Sequence, residues 1–156
     1  MYQIASREVS EQKTLVRRAK VRGDAIPDFL GPTYAAVAQV VTRSGFRFAG
    51  PPFARYRPLD EEFAEFEVEA GFPVAGDGPV SDDVEVSSLP GGTVAVVVHI
   101  GPYDAMLPPY QAMFDWMAER DARAEGPAWE VYHSDPDEQP DPATWRTEIY
   151  QPYSTD

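Results

Sequence analysis

Trp145-Arg146-Thr147-Glu148-Ile149-Tyr150-Gln151-Pro152 alternates polar and apolar residues at period two, the pattern of a half-buried strand. Thr147 and Ile149 are expected to pack on one face, with Arg146, Glu148 and Tyr150 sharing the other. Glu62 to Ala70 alternates in the same way, with Phe66, Val68 and Ala70 set against Glu65, Glu67 and Glu69. Two strands of one kind, far apart in the chain, point to a repeated plan.

The repeat is visible when the halves are laid over each other. Gly31-Pro32-Thr33-Tyr34 falls on Leu107-Pro108-Pro109-Tyr110, Gly50-Pro51 on Gly126-Pro127 and Tyr56 on Tyr132, all at an offset of 76 residues. Thr14 falls on Thr93, Glu69 on Glu148 and Pro73 on Pro152 at an offset of 79. Each half reads as strand, helix, strand, strand. The first has an edge strand over 2–9, a longer strand over 12–22, a break at Asp24-Ala25-Ile26-Pro27, and a helix after Gly31-Pro32. Tyr34, Val37, Ala38 and Val41 lie at helical spacing, and Ser44-Gly45 stops that helix. A bent strand over 46–57 and the acidic strand follow, and the glycine- and proline-rich segment 71–83 reads as a linker. The second half has strands over 84–89 and 93–100. Its helix carries Met106, Leu107, Tyr110, Met113, Phe114 and Met117 on one stripe and ends at Gly126-Pro127. A strand over 129–133, an acidic loop over 134–143 and the final strand complete it.

This pattern predicts the α+β class: one domain over 1–156, with halves of roughly 1–75 and 80–153 related by a pseudo-twofold axis. Helices cover one sheet face, so the bare faces are expected to meet at a seam near Glu69/Glu148 and Tyr56/Tyr132, where pockets commonly form. The 156 residues include 43% hydrophobic and 25% charged positions, an ordinary globular balance. A formal charge of −13 disfavours a nucleic-acid partner and concentrates cations. There is no cysteine, which removes disulfides, thiol nucleophiles and Cys-ligated zinc. With two histidines, His99 and His133, no metal or cofactor is expected. Asp135, Asp137, Glu138 and Asp141 are too interrupted by proline for a calcium loop. A cytoplasmic location is expected from the absence of a long apolar run and of a signal-like N-terminus.

Glu148 is the first candidate for a binding residue. A carboxylate on an enclosed face takes up a proton or a cation. A lipophilic cation among aromatic rings gains charge attraction, ring-face attraction and apolar burial together. The competing reading is that Arg146, His99 or Lys20 neutralises it internally. Tyr150, Tyr132 and Tyr56 are candidate ligand-binding aromatics, and Trp116 a candidate at a cleft mouth, each weighed against an ordinary half-buried role. Met106, Met113 and Met117 read as core, the Glu65/Glu67/Glu69 row as a solvated face, and Glu69 as a lesser second site.

The stretches Phe66-Glu67-Val68-Glu69-Ala70-Gly71-Phe72-Pro73-Val74, Gly101-Pro102-Tyr103, Gly126-Pro127-Ala128-Trp129-Glu130-Val131-Tyr132, Asp135-Pro136 and Thr147-Glu148-Ile149-Tyr150-Gln151-Pro152, in this order, resemble the GyrI-like small-molecule-binding domains. That family includes the effector-binding halves of BmrR-type and Rob-type (AraC-type) regulators. The resemblance implies a duplicated β-α-β-β fold with a curved antiparallel sheet and a cleft. It implies that Glu148 pairs there with cationic aromatic drugs, with Tyr150 beside it. Stand-alone members imply three functions: sequestration of lipophilic cationic or aromatic compounds, hydrolysis of cyclopropane-containing cytotoxic natural products, and gyrase inhibition. The first is the leading expectation, which is not an enzymatic one. In a hydrolase, Glu148 would work with Tyr132 or Tyr150. The expected partner is a small molecule, with neither nucleic acid nor membrane involved.

Overall fold

The computed structural model describes residues 2–60, 62, 64–80, 83–102, 106–134 and 140–155. Tyr103, Asp135, Pro136, Asp137 and Glu138, named above, lie outside them. In chain order the strands are β1 (Ile4–Val9), β2 (Gln12–Arg22), β3 (Phe46–Phe48), β4 (Phe53–Pro58), β5 (Glu65–Gly76), β6 (Glu85–Leu89), β7 (Gly92–Ile100), β8 (Arg123–Ala124), β9 (Trp129–Tyr132) and β10 (Arg146–Ser154). The helices are α1 (Ile26–Arg43), between β2 and β3, and α2 (Leu107–Glu119), between β7 and β8. The class is α+β with antiparallel pairing, as expected.

The chain forms two compact units, Ser10–Pro90 and Met1–Val9 with Gly91–Asp156. In the first, β5 is flanked by β4 and β2, and β6 pairs with β2. In the second, β10 is flanked by β9 and β7, and β1 pairs with β7. The strand orders β4-β5-β2-β6 and β9-β10-β7-β1 are therefore the same plan. Even the small strands correspond: β3 adds to β5 and β8 to β10. The N-terminal strand thus serves the second unit, in the edge position that β6 holds in the first.

Ladder register refines the internal alignment. Pro73 pairs with Thr14 and Pro152 with Val94, so the counterpart of Thr14 is Val94, one residue beyond the expected Thr93. On the flanking strands Tyr56 pairs with Val68 and Tyr132 with Thr147, which upholds the Tyr56/Tyr132 match.

Each unit has its own core between helix and sheet. Leu15, Val37, Val40, Val41, Phe46, Val74 and Val84 form the first, with Phe72 packed against it. Ala95, Val97, Met113, Met117 and Ile149 form the second. Burying branched aliphatic side chains of this size stabilises by roughly 1.5–3 kcal/mol each. Several sequence expectations are corrected. Segment 71–83 is not a linker from its start, because β5 runs on through Gly71-Phe72-Pro73-Val74-Ala75-Gly76. The helix α1 begins at Ile26 rather than after Pro32; Pro27 sits in its first turn, where the missing N–H has no partner to lose. The helix α2 ends at Glu119, well before Gly126. Its apolar stripe is also rotated, since Leu107 is 77% and Phe114 46% exposed while Met113 is fully buried.

Candidate functional site

Directly paired residues of an antiparallel ladder share a face, and successive residues alternate. Ile149 pairs with Val97 and Glu130, and Thr147 with His99 and Tyr132. Ile149 and Val97 belong to the core under α2, so Glu130, Tyr132 and His99 lie on the helix face. Glu148 pairs with Val98 and Val131, and Tyr150 with Val96 and Trp129, which places all six on the opposite face. Arg7 joins them there, because it pairs with Val94.

On that face Glu148 is 7% exposed. Its Oε1 accepts from the Tyr150 hydroxyl at 3.0 Å and stands 2.5 Å from His133 Nε2. Its Oε2 is 3.6 Å from an Arg146 nitrogen and 3.9 Å from one of Arg7, beyond hydrogen-bond reach. Burial alone would raise the Glu148 carboxyl. The hydrogen bonds from His133 and Tyr150 and the charges of His133 and Arg146 outweigh it, so the carboxyl sits below its usual value. The group is an anion at neutral pH, and an ionised carboxylate only accepts, so His133 donates. The same anion, after burial, pushes the Tyr150 phenol up, while Arg7 opposes it. The Tyr150 ring stacks on Trp129, 5.5 Å between centroids and 8° from parallel.

The equivalent glutamate in the other unit is bound very differently. Glu69, 5% exposed, accepts from Arg18 Nε at 2.8 Å and from Arg55 at 2.9 Å on both oxygens. Arg18 and Arg55 are its ladder partners on β2 and β4. At the matching positions beside Glu148 stand Val98 and Val131. One repeat clamps its glutamate with two arginines, while the other leaves it between valines. Glu69 is therefore held in an ion pair with two arginines.

The remaining candidates fall elsewhere. Tyr132, expected beside Glu148, is on the α2 face and donates to Glu130 Oε1 at 2.8 Å. Trp116 is also on the α2 side, half-buried against the core. Its ring meets Tyr153 edge-on at 5.6 Å, and the Arg120 guanidinium lies 4.0 Å above it. Tyr56 pairs with Val68 on the α1 face of its own sheet and meets Phe66 edge-on. Of the proposed neutralisers, Arg146 is close to Glu148. His99 is not, since its ring nitrogens contact the Tyr2 hydroxyl and the Pro102 carbonyl. Lys20 faces Glu67 across the β2–β5 ladder.

Sequence reasoning missed two neighbours of Glu148, His133 and Arg7, and a buried carboxyl on the opposite face, Glu130. His133 was discoverable, because it continues Trp129 and Val131 at period two. Arg7 was not, because nothing in the sequence says that the first strand joins the second repeat. Glu130 had a faint signal: it stands where the first repeat has Ala54. It is buried and receives the Tyr110 hydroxyl at 2.6 Å as well as that of Tyr132. Burial raises its carboxyl, against smaller lowering by those hydroxyls and by His99. Among the described residues no group of three or more His, Asp or Glu side chains could hold a metal ion.

Residues 51–154 match the family model of the GyrI-like small molecule binding domain. The chain belongs to the GyrI-like family. Among solved structures, the EcmrR C-terminal domain superposes with a TM-score of 0.88 at 22% identity, over 100% of this chain and 99% of that one. EcmrR in its DNA complex gives 0.87 at 23% identity over 99% of this chain, which spans 58% of that longer protein. SAV2435 bound to tetraphenylphosphonium gives 0.64 at 15% identity, over 97% and 94% of the two chains. A hydrolase from Listeria innocua gives 0.65 at 16%, over 97% and 92%. At such identities these likenesses speak for the GyrI-like fold alone. No curated protein sequence matches the chain. Among the described residues no helix is long and apolar enough to cross a membrane.

Proposed function

We propose that this GyrI-like domain binds lipophilic aromatic cations at the face carrying Glu148, as a sequestering or sensing module. One observation carries the reading: Glu148 is a nearly buried anion whose ladder neighbours are valines where the companion repeat has arginines. Among the described residues its Oε2 meets the Arg7 and Arg146 guanidiniums at 3.9 and 3.6 Å, ion pairs without a hydrogen bond, which leaves it able to receive a cation. Tyr150 and Trp129 supply a stacked aromatic pair beside it, and ring-face attraction adds ~0.5–2 kcal/mol per good contact. The tetraphenylphosphonium held by SAV2435 is a ligand of this chemistry. Tyr132, Trp116 and Tyr56, on helix-covered faces, are left out of the site.

Titrating the protein with tetraphenylphosphonium, or with a cationic rhodamine by fluorescence, tests the proposal. Glu148→Gln should weaken binding about tenfold or more, as loss of ~1.4 kcal/mol or more implies, while the fold persists. Unchanged affinity would sink the anchor role. Hydrolysis is the second reading, favoured by the 3.0 Å Tyr150–Glu148 contact, which sets a carboxylate and a phenol side by side for acid–base work. Multiple turnovers of a cyclopropane-containing alkylator, lost in both Glu148→Gln and Tyr150→Phe, would establish it; stoichiometric loss alone would dismiss it.

A further inference from the structure

Two arginines stand at the Glu148 site without making a hydrogen bond to it. Arg7 reaches over from β1 and Arg146 lies two residues away on β10, and their nitrogens approach one oxygen, Oε2, at 3.9 and 3.6 Å. Both side chains are about half exposed. Where this chain uses arginines to neutralise a glutamate, it brings them into contact: Arg18 and Arg55 meet Glu69 at 2.8 and 2.9 Å. Among the described residues, two positive charges at Glu148 face one negative charge that His133 and Tyr150 already hold by hydrogen bonds. Each guanidinium carries five N–H donors in a planar fork suited to a carboxylate or phosphate.

We propose that the ligand carries an acidic group as well as a cation, and that Arg7 and Arg146 bind the acid while Glu148 meets the cation. The inference rests on the Glu148 reading above and narrows its ligand class to amphoteric aromatics. Arg7 and Arg146 then determine specificity, and a plain lipophilic cation uses half of the site. A simple anion is unsuited, since it meets a chain of net charge −13 before it reaches two arginines. An amphoteric compound pays neither penalty, being neutral at a distance and doubly matched on contact.

Rhodamine B, with a free carboxylate, and its ethyl ester, a plain cation of the same ring system, separate the two roles. The wild-type protein should bind the acid several-fold more tightly than the ester. In the double variant Arg7→Gln/Arg146→Gln the acid should lose about tenfold, the worth of one charge-assisted hydrogen-bonded contact, while the ester is unchanged or tighter. Glu148→Gln should weaken both dyes. Equal effects of the arginine substitutions on acid and ester, or no wild-type preference for the acid, overturn this inference and leave the Glu148 anchor standing. Indifference of both dyes to Glu148→Gln overturns the anchor itself. Both arginines are half exposed, and thermal melts of the double variant establish that the comparison is made on folded protein.

Discussion

Glu148 and Glu130 occupy opposite faces of the β9–β10 ladder and are pushed in opposite directions, which makes their effects on stability separable by pH. Glu130 is raised by burial, so the native state holds its proton more tightly than the unfolded chain does. Its contribution is most favourable below the unfolded carboxyl value, about 4.3, and is lost as pH rises through the raised native value. Glu148 is lowered, so its contribution is present above the unfolded value and lost as pH falls through the depressed native one. In urea melts across pH, Glu130→Gln should therefore gain on the wild type as pH rises from acid to neutral. Glu148→Gln should lose relative to it over the same interval. Parallel curves for both variants would contradict the assignment. Tyr110→Phe should cost about 1–3 kcal/mol, because it leaves a buried carboxyl oxygen without its 2.6 Å donor. Within this group the legible residues were those on one strand: Arg146, Glu148 and Tyr150 share a face by alternation alone. Tyr132 lies on the face opposite the expected one because its side depends on its register with β10, where it pairs with Thr147, and alternation within β9 does not reveal that register.

Glycine and proline are the strongest punctuation in the sequence, yet in β5 they do not interrupt the strand. The strand β5 passes through Gly71 and Pro73 without ending, and Pro73 still accepts through its carbonyl from the Ala49 N–H at 2.9 Å. Gly71 is required for a different reason than a turn: a Cβ built there would lie 1.9 Å from the Leu15 carbonyl oxygen on β2. Gly71→Ala should therefore cost at least about 2 kcal/mol in chemical denaturation, since the obstacle is backbone that cannot move aside. A cost of a few tenths would show that β2 gives way. The reverse error occurred at the end of α2, which stops without glycine. Asp121 takes a positive φ of 54°, and the Asp121 and Ala122 N–H groups close back on Ala118 and Met117 at 3.3 and 2.9 Å. Aspartate tolerates that left-handed turn, but its sequence signal is weak. The duplication itself was legible because punctuation and the two glutamate strands recur in order. The clamp on Glu69 was not legible, because the Glu65/Glu67/Glu69 row reads as a solvated face and only the ladder register brings Arg18 and Arg55 beside Glu69. Breaking it with Arg55→Ala should cost up to about 3 kcal/mol, as for a buried pair stripped of one partner. Arg18→Ala should cost less, its side chain being 42% exposed.

At the scale of the chain, what no local pattern announces is the exchange of the first strand. β1 is continuous in sequence with β2 but pairs with β7, from Ile4 against Val97 to Val9 against Gly92. The edge position of the second unit is therefore filled from the opposite end of the chain, and the same strand delivers Arg7 to Glu148. Tyr2 and Ile4 also pack against the core under α2, so β1 contributes apolar burial as well as ladder hydrogen bonds. Without it, β7 would become an open edge with a β-branched sequence, Thr93-Val94-Ala95-Val96-Val97-Val98, of the kind that invites strand addition and aggregation. Deleting residues 1–9 should consequently weaken one unit and spare the other. Hydrogen exchange at β7 amides that donate to β1 should accelerate strongly, and those of β10 to a lesser degree, while amides of β2 and β5 keep their protection. The truncated protein should also self-associate at concentrations where the full chain does not. Equal acceleration in both units would mean that β1 supports the molecule globally. Unaltered protection at β7 would mean that its ladder with β1 contributes nothing, and with that the edge role assigned to the first strand would fall.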